Sequence, residues 1–197
     1  LWRMSDLKYR KNNKIIDYVG KEVEYDLLIT VPTNMGDEMI ARSGFGDDLN
    51  YVPTNKTTLQ SKVKDNIFVI GDATNLPASK AGAVAHFEAE ILSENILLHI
   101  AGKPLKELFD GHSNCFIETG FGKALLIDFN YDQEPVKGTF PIPGFGPLKL
   151  LEETRTNHLG KLAFRWIYWN MIIKGRPIPF VTSKMKITGK AIEENKK

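Results

Sequence analysis

Three places in this chain of 197 residues carry side chains whose type and setting could do chemistry. Asp72 follows Gly71 at the end of an apolar run, residues 67–70, and stands just before a helix start. In open α/β sheets such a carboxylate lies at the carboxyl end of a strand, where ligands meet the free N–H groups of the next helix. The same Gly-Asp pair also suits a plain turn and helix cap. Cys115 is the only cysteine; a thiolate there would be a nucleophile or a redox group, while a thiol on a strand is equally a small apolar filler. The third place is the stretch 161–176, where an apolar run that holds Phe164, Trp166, Tyr168 and Trp169 is flanked by Lys161, Arg165, Lys174 and Arg176. One cysteine and four scattered histidines provide no ligand spacing for a metal. His86 and Glu88, two apart on a predicted helix, face different sides of it and cannot form one acid–base unit; their expected role is structural.

The elements that must position these groups follow from periodicity. The run 67–70 reads as a short buried parallel strand. Thr74, Asn75, Pro77 and Ser79 form a polar turn, and Ala81, Gly82 and Ala83 are small enough to let a flat molecule approach a helix start. Residues 84–100 have helical spacing, with Val84, Phe87, Ile91, Leu92 and Ile96 on the pattern and Gly102 and Pro104 ending it. Upstream, residues 14–31 predict a hairpin turning at Gly20 and Lys21, residues 36–42 a short helix, and residues 49–60 a small β excursion. Downstream, residues 114–119 and 123–131 alternate as an antiparallel pair joined near Gly120, Phe121 and Gly122, and 141–147 is a proline-stiffened loop. A domain change is expected near residue 110.

Composition is that of a folded protein, with 42% hydrophobic and 25% charged residues. The net charge of +2 is unevenly spread: residues 149–197 hold eleven Lys or Arg against four Glu. A basic tail on a mildly acidic body suggests an anionic partner. The all-round apolar character of the 161–173 stretch and its basic border suit a helix lying in one leaflet of a membrane, and equally a helix buried in its own domain. Base-stacking aromatics along a basic groove are missing, so no nucleic acid is expected. No apolar run is long enough to span a bilayer, and no secretory signal is visible at the start of this sequence.

The segment NIFVIGDATNLPASKAG, residues 66–82, resembles the second FAD-binding motif of two-dinucleotide-domain flavoproteins, in particular the sulfide:quinone oxidoreductase family. The resemblance extends through YDLLITVPTNMG (25–36), CFIETGFGKALLIDFNY (115–131) and HLGKLAFRWIYWN (158–170). It implies an α/β fold: a Rossmann-like FAD/NAD(P)-binding portion over residues 1–110, then a smaller α+β quinone and membrane-interface domain over 111–197 with an amphipathic membrane-associating helix. It further implies FAD as cofactor, held by Gly71 and Asp72 at the ribityl chain and by Lys80, Ala81 and Gly82 at the isoalloxazine ring. Cys115 would be one of a pair of cysteines carrying sulfide sulfur. Phe116 and Phe164 would sandwich a quinone, with Lys161 beside its oxygen; from the residues alone, core packing and a helix-edge position serve these three as well.

The Gly-x-Gly-x-x-Gly fingerprint for the FAD pyrophosphate is missing. GFGKALL at 120–126 and GFGPLKL at 144–150 have paired glycines but no third. The chain therefore reads as the C-terminal part of a flavoprotein whose remaining N-terminal part is its partner, and alone it is expected to be inactive. The expected activity of the whole is oxidation of sulfide to polysulfide or sulfur, with electrons passing through FAD to membrane quinone, on a prokaryotic cell membrane as a monotopic protein. A type II NADH:quinone dehydrogenase-like flavoprotein and a non-enzymatic membrane- or partner-binding fragment are the alternatives.

Overall fold

The computed structural model describes residues 7–191 apart from 12, 18, 30 and 32. The chain divides into two compact units, residues 1–35 and 36–197. In the first, β1 (Leu7–Lys11), β2 (Lys14–Asp17) and β3 (Glu22–Glu24) form an antiparallel meander in that order. The β2–β3 turn is tied by Asp17, whose Oδ1 accepts the N–H groups of Val19 and Lys21 at 3.0 and 2.8 Å. The predicted second strand of the hairpin is cut short. It stops at Glu24, and Leu27 and Ile29 stand exposed: the Tyr25 N–H still donates to the Asn13 carbonyl at 3.0 Å, but no described strand lies alongside to continue the ladder. β1, in a polar stretch, was not legible in the sequence.

In the second unit, α1 (Glu38–Arg42) is capped by Asp37, which accepts the Met39 N–H at 2.7 Å. The run 67–70 does not form the expected parallel strand. Residues 52–74 are held by isolated bridges, Val52 to Thr74, Thr54 to Ser61 and Gln60 to Phe68, and by side chains such as Asn75, whose Oδ1 accepts the Thr54 N–H at 3.0 Å. With so few neighbouring backbone partners the apolar run works as core filler: Val69 is buried with Ile40 and Val52.

The long helix is present as α2 (Gly82–Ile100). Its buried residues, Val84, Phe87, Glu88, Ile91 and Asn95, fall on one face at helical spacing. The apolar ones join Leu59, Leu76 and Phe109 in the main core, each contributing about 1.5–3 kcal/mol by burial. Asn95, fully buried, donates to the Thr58 and Lys106 carbonyls and accepts the Lys106 N–H, fixing the helix to the chain on both sides. The helix ends at Ala101, followed by Gly102 in the left-handed region at φ 64°.

Four strands form a mixed sheet ordered β4 (Ser113–Gly120), β5 (Lys123–Phe129), β7 (Leu148–Leu150), β6 (Gly138–Phe140). β4 and β5 are antiparallel, joined by Phe121 and Gly122, both at positive φ as a two-residue hairpin turn requires. β5 and β7 are parallel and β6 and β7 antiparallel. α3 (Arg155–Ile167) starts at the cap Thr154, whose Oγ1 accepts the Asn157 N–H at 3.0 Å, and continues into a widened π turn at Tyr168–Ile172. Gly160 lets α3 lie close on the sheet: a Cβ there would stand 2.8 Å from Leu148 Cδ2 and 3.4 Å from the Phe116 ring. Asn157 is the fully buried residue of α3, and from 158 to 176 every residue keeps some exposure.

Candidate functional site

A cleft of about 450 Å³ opens between α2, β4 and α3, and Ala81, Cys115, Phe116, Lys161 and Phe164 all line it. Side chains alternate along β4. Phe116 and Glu118 face α3, as the Phe116–Phe164 contact and the hydrogen bond that Glu118 accepts from His158 demonstrate, whereas Cys115 meets Ser79 on the other side. The cleft therefore wraps around an edge strand. Apart from Asn114, Cys115, His86 and Lys161, its lining side chains are apolar or aromatic, the composition of a site for an apolar ligand with few polar anchors.

The two phenylalanine rings lie 6.4 Å apart between centroids and are tilted by 54°. At that tilt they would have to turn to stack on both faces of one flat molecule. Lys161 is held at the rim by Glu118: its Nζ is 3.4 Å from Glu118 Oε1, and His158 Nδ1 lies 2.9 Å from the same oxygen. The hydrogen bond from His158 is the main reason that the Glu118 carboxyl titrates below its ordinary value. Glu118 and His158 were missed in the sequence. The available signal was spacing: Glu118 shares a strand face with Phe116, and His158 precedes Lys161 by three positions on a helix.

Cys115 is half-buried, and burial pushes its thiol above the ordinary value, with the Ser79 hydroxyl bond partly opposing. That setting holds the protonated thiol, the opposite of an activated thiolate.

Gly71 and Asp72 form the second cluster, in a 3-10 turn at Gly71–Ala73 packed on the first turns of α2. Gly71, at φ 66°, needs the left-handed region. Its N–H donates to Glu88 Oε2 at 2.6 Å, and Glu88 is 1% exposed. Glu88 thus has the structural role expected of it, although its partner could not be read from the sequence. Asp72 is exposed, and among the described residues its carboxylate accepts no hydrogen bond. Lys80 Nζ donates to the Thr74 carbonyl at 2.6 Å and sits 4.4 Å over the Tyr51 ring. Burial lowers its pKa, opposed by the carboxylates of Asp72, Glu88 and Asp47. α2 begins at Ala81 without a side-chain cap, and a Cβ on Gly82 would meet nothing within 4 Å. Of this cluster only Ala81 reaches the cleft; Gly71, Asp72, Lys80 and Gly82 lie outside its lining.

The fold is thus a mixed α/β arrangement with an apolar cleft and a neighbouring polar turn at a helix start, and the relatives it matches are named as oxidoreductases. Over most of its length the chain is similar to a part of the sulfide:quinone oxidoreductases. It is 34% identical over 158 residues to the mitochondrial sulfide:quinone oxidoreductase of Schizosaccharomyces pombe, covering 78% of this chain and 33% of that protein. With the Mus musculus protein of the same name the identity is 33% over 166 residues (82% and 35%), and with that of Dictyostelium discoideum 36% over 158 residues (80% and 34%). The chain thus spans about a third of the length of these relatives, consistent with a C-terminal part. No family model matches it. Among solved structures, a chain in the cryo-EM structure of the Tetrahymena thermophila mitochondrial ATP synthase F1Fo tetramer has a similar fold, with a TM-score of 0.56 and 23% identity over 82% of this chain and 37% of that one. The relatives are named as mitochondrial, which gives the expectation of a prokaryotic membrane no support. Among the described residues no helix is long and apolar enough to cross a membrane.

Proposed function

We propose that this chain is the quinone-facing part of a sulfide:quinone oxidoreductase, with residues 111–197 contributing the quinone and membrane-interface portion and residues 1–110 part of the FAD-binding portion. One observation carries the reading: Cys115 and Phe116 on β4 and Lys161 and Phe164 on α3, two segments distant in sequence, line a single apolar cleft. A quinone entering it would rest its ring on Phe116 and Phe164. Lys161 would move from Glu118 toward the quinone oxygen, where an ammonium favours the charge that develops on reduction.

The Asp72 turn fits one end of FAD. An exposed carboxylate without a hydrogen bond is free for ribityl hydroxyls, and the uncapped N–H groups of α2 with open space at Gly82 suit the electron-rich edge of a flat ring. Nothing in the sequence cradles a pyrophosphate, so these residues hold only part of the cofactor. When bound, FAD supplies the two-electron carrier between a sulfur donor and quinone. Cys115 would face that carrier; as the only thiol of the chain it cannot form a disulfide within it.

Titrating the full chain with duroquinone in a calorimeter tests the proposal. Its four methyl groups leave no ring position for addition of the Cys115 thiol. The expected result is saturable binding that Phe164→Ala and Phe116→Ala each weaken while the thermal melt stays cooperative. Binding indifferent to both changes would remove the cleft from the quinone path.

A further inference from the structure

Among the described residues, Asn114 Nδ2 is the one buried side-chain polar atom without a hydrogen-bond partner, and Asn114 lines the cleft. A buried N–H left unpaired costs about 1–3 kcal/mol, and buried donors in folded proteins nearly always find an acceptor. The other polar side chains of the lining are engaged. Lys161 pairs with Glu118, Cys115 bonds Ser79, and His86 Nε2 lies 3.7 Å from Glu90 Oε1. Asn114 is thus the unspent donor of a largely apolar wall.

Its placement says what it would meet. Alternation along β4 puts Asn114 on the same strand face as Phe116, two residues on, whose ring touches Phe164. A flat ligand seated against those rings presents its edge substituents along the strand, toward Asn114 on one side and the Glu118–Lys161 rim on the other. An amide N–H offers no attraction to a hydrocarbon edge; it selects a ring bearing an oxygen acceptor.

We propose that Asn114 is the specificity-determining donor of the cleft, its Nδ2–H bonding a carbonyl oxygen of the quinone while Lys161 serves the opposite side. This rests on the quinone reading of the cleft given above. The geometry separates two tasks: Phe116 and Phe164 bind the ring whatever its substituents, and Asn114 distinguishes a quinone from an aromatic hydrocarbon of the same shape. A site that hydrogen-bonds its ligand's oxygen rejects the analogue lacking it, because the buried group then stays unpaired.

The probes are duroquinone and durene, the same tetramethylated ring without oxygens, each added to the full chain labelled with ¹⁵N in asparagine side chains. The Asn114 amide signal is assigned by its loss in Asn114→Leu, a variant that keeps the volume but removes the donor. Duroquinone is expected to shift the Asn114 ¹⁵Nδ2 signal, with durene leaving it in place. Asn114→Leu should weaken duroquinone about tenfold, the worth of one hydrogen bond, and leave durene binding equal or tighter. Equal binding of the two probes to the wild-type chain, or a duroquinone complex with an unmoved Asn114 signal, overturns the role of Asn114 and leaves the apolar quinone cleft standing. Failure of a cooperatively melting chain to bind either probe overturns the cleft reading itself. Where Asn114→Leu fails to fold, the smaller Asn114→Ser supplies the assignment, and the wild-type signal then reports as before.

Discussion

Glu88 Oε2 accepts the Gly71 N–H at 2.6 Å, so the turn that presents Asp72 is held by a carboxylate nearly two turns inside α2. Burial raises the Glu88 pKa above 4.5, with the Gly71 hydrogen bond and the Lys80 charge opposing and the Asp72 charge adding to the rise. The folded chain therefore holds this proton more tightly than the unfolded one. The stability attached to it is complete below about pH 4.5 and is lost as pH rises through the folded-state value. Glu88→Gln keeps an acceptor and removes the titration, so its Tm relative to wild type should climb from pH 4.5 upward in calorimetric melts. Glu88→Ala leaves the Gly71 N–H unpaired and should cost about 1–3 kcal/mol. A pH-independent difference between Gln and wild type would show that Glu88 does not titrate differently in the folded state.

Lys190 reaches Asp128 at 2.6 Å with both side chains almost fully buried, and His112 Nε2 meets the other Asp128 oxygen at 2.7 Å. Burial alone would raise the Asp128 pKa, but His112 and Lys190 outweigh it, and the carboxyl titrates below its ordinary value. Its stabilising effect is present above about pH 3.8 and is lost as pH falls through the lower folded-state value. Removing one partner strands a buried charge. Urea melts of Lys190→Met should show a loss of about 3–5 kcal/mol, whereas Lys186→Met, on an exposed side chain, should show little. Equal effects would mean that the Lys190 pair is solvated in solution.

How far such relationships can be read without a structure depends on their range. The α2 helix and the β4–β5 hairpin were legible because Val84, Phe87 and Ile91, and the alternation around Gly120–Gly122, are local patterns. The strand expected at 67–70 failed for a complementary reason: an apolar run states that it will be buried, not that another backbone will lie beside it. β6 and β7, of three residues each, have too little length for periodicity. Within the site, Phe116 and Phe164 were marked by their motifs. Glu88 to Gly71, Lys190 to Asp128 and Glu118 to His158 join positions 17, 62 and 40 residues apart, and no single-chain pattern announces such pairings.

Cys115 makes a kinetic prediction. With its thiol pKa raised by burial, iodoacetamide should modify it more slowly than free glutathione at pH 7.5, and the rate should still be rising above pH 9. If the cleft accepts quinone, duroquinone should slow the reaction further. Rapid alkylation at neutral pH, followed by mass spectrometry, would show an accessible thiolate.

The last prediction concerns α3 and the turn after it, where Leu159, Leu162, Trp166, Trp169 and Ile173 are exposed beside Arg165, Lys174 and Arg176. A large apolar patch of this kind marks an interaction surface, and its basic neighbours suit anionic lipid, each charge contributing about 1 kcal/mol near such a surface. The chain should therefore sediment with vesicles containing phosphatidylserine and less so with neutral ones. Arg165→Gln combined with Lys174→Gln and Arg176→Gln should weaken that association in a salt-dependent manner. Trp166→Ser with Trp169→Ser should weaken it at every salt concentration, since the indole rings are 63% and 58% exposed and would enter the interface. Exposure of this degree also means that the tryptophan changes should leave the thermal melt nearly intact, which separates loss of a docking face from loss of the fold. A wild-type chain that stays in the supernatant with anionic vesicles would remove the membrane route and leave quinone to reach the cleft from solution.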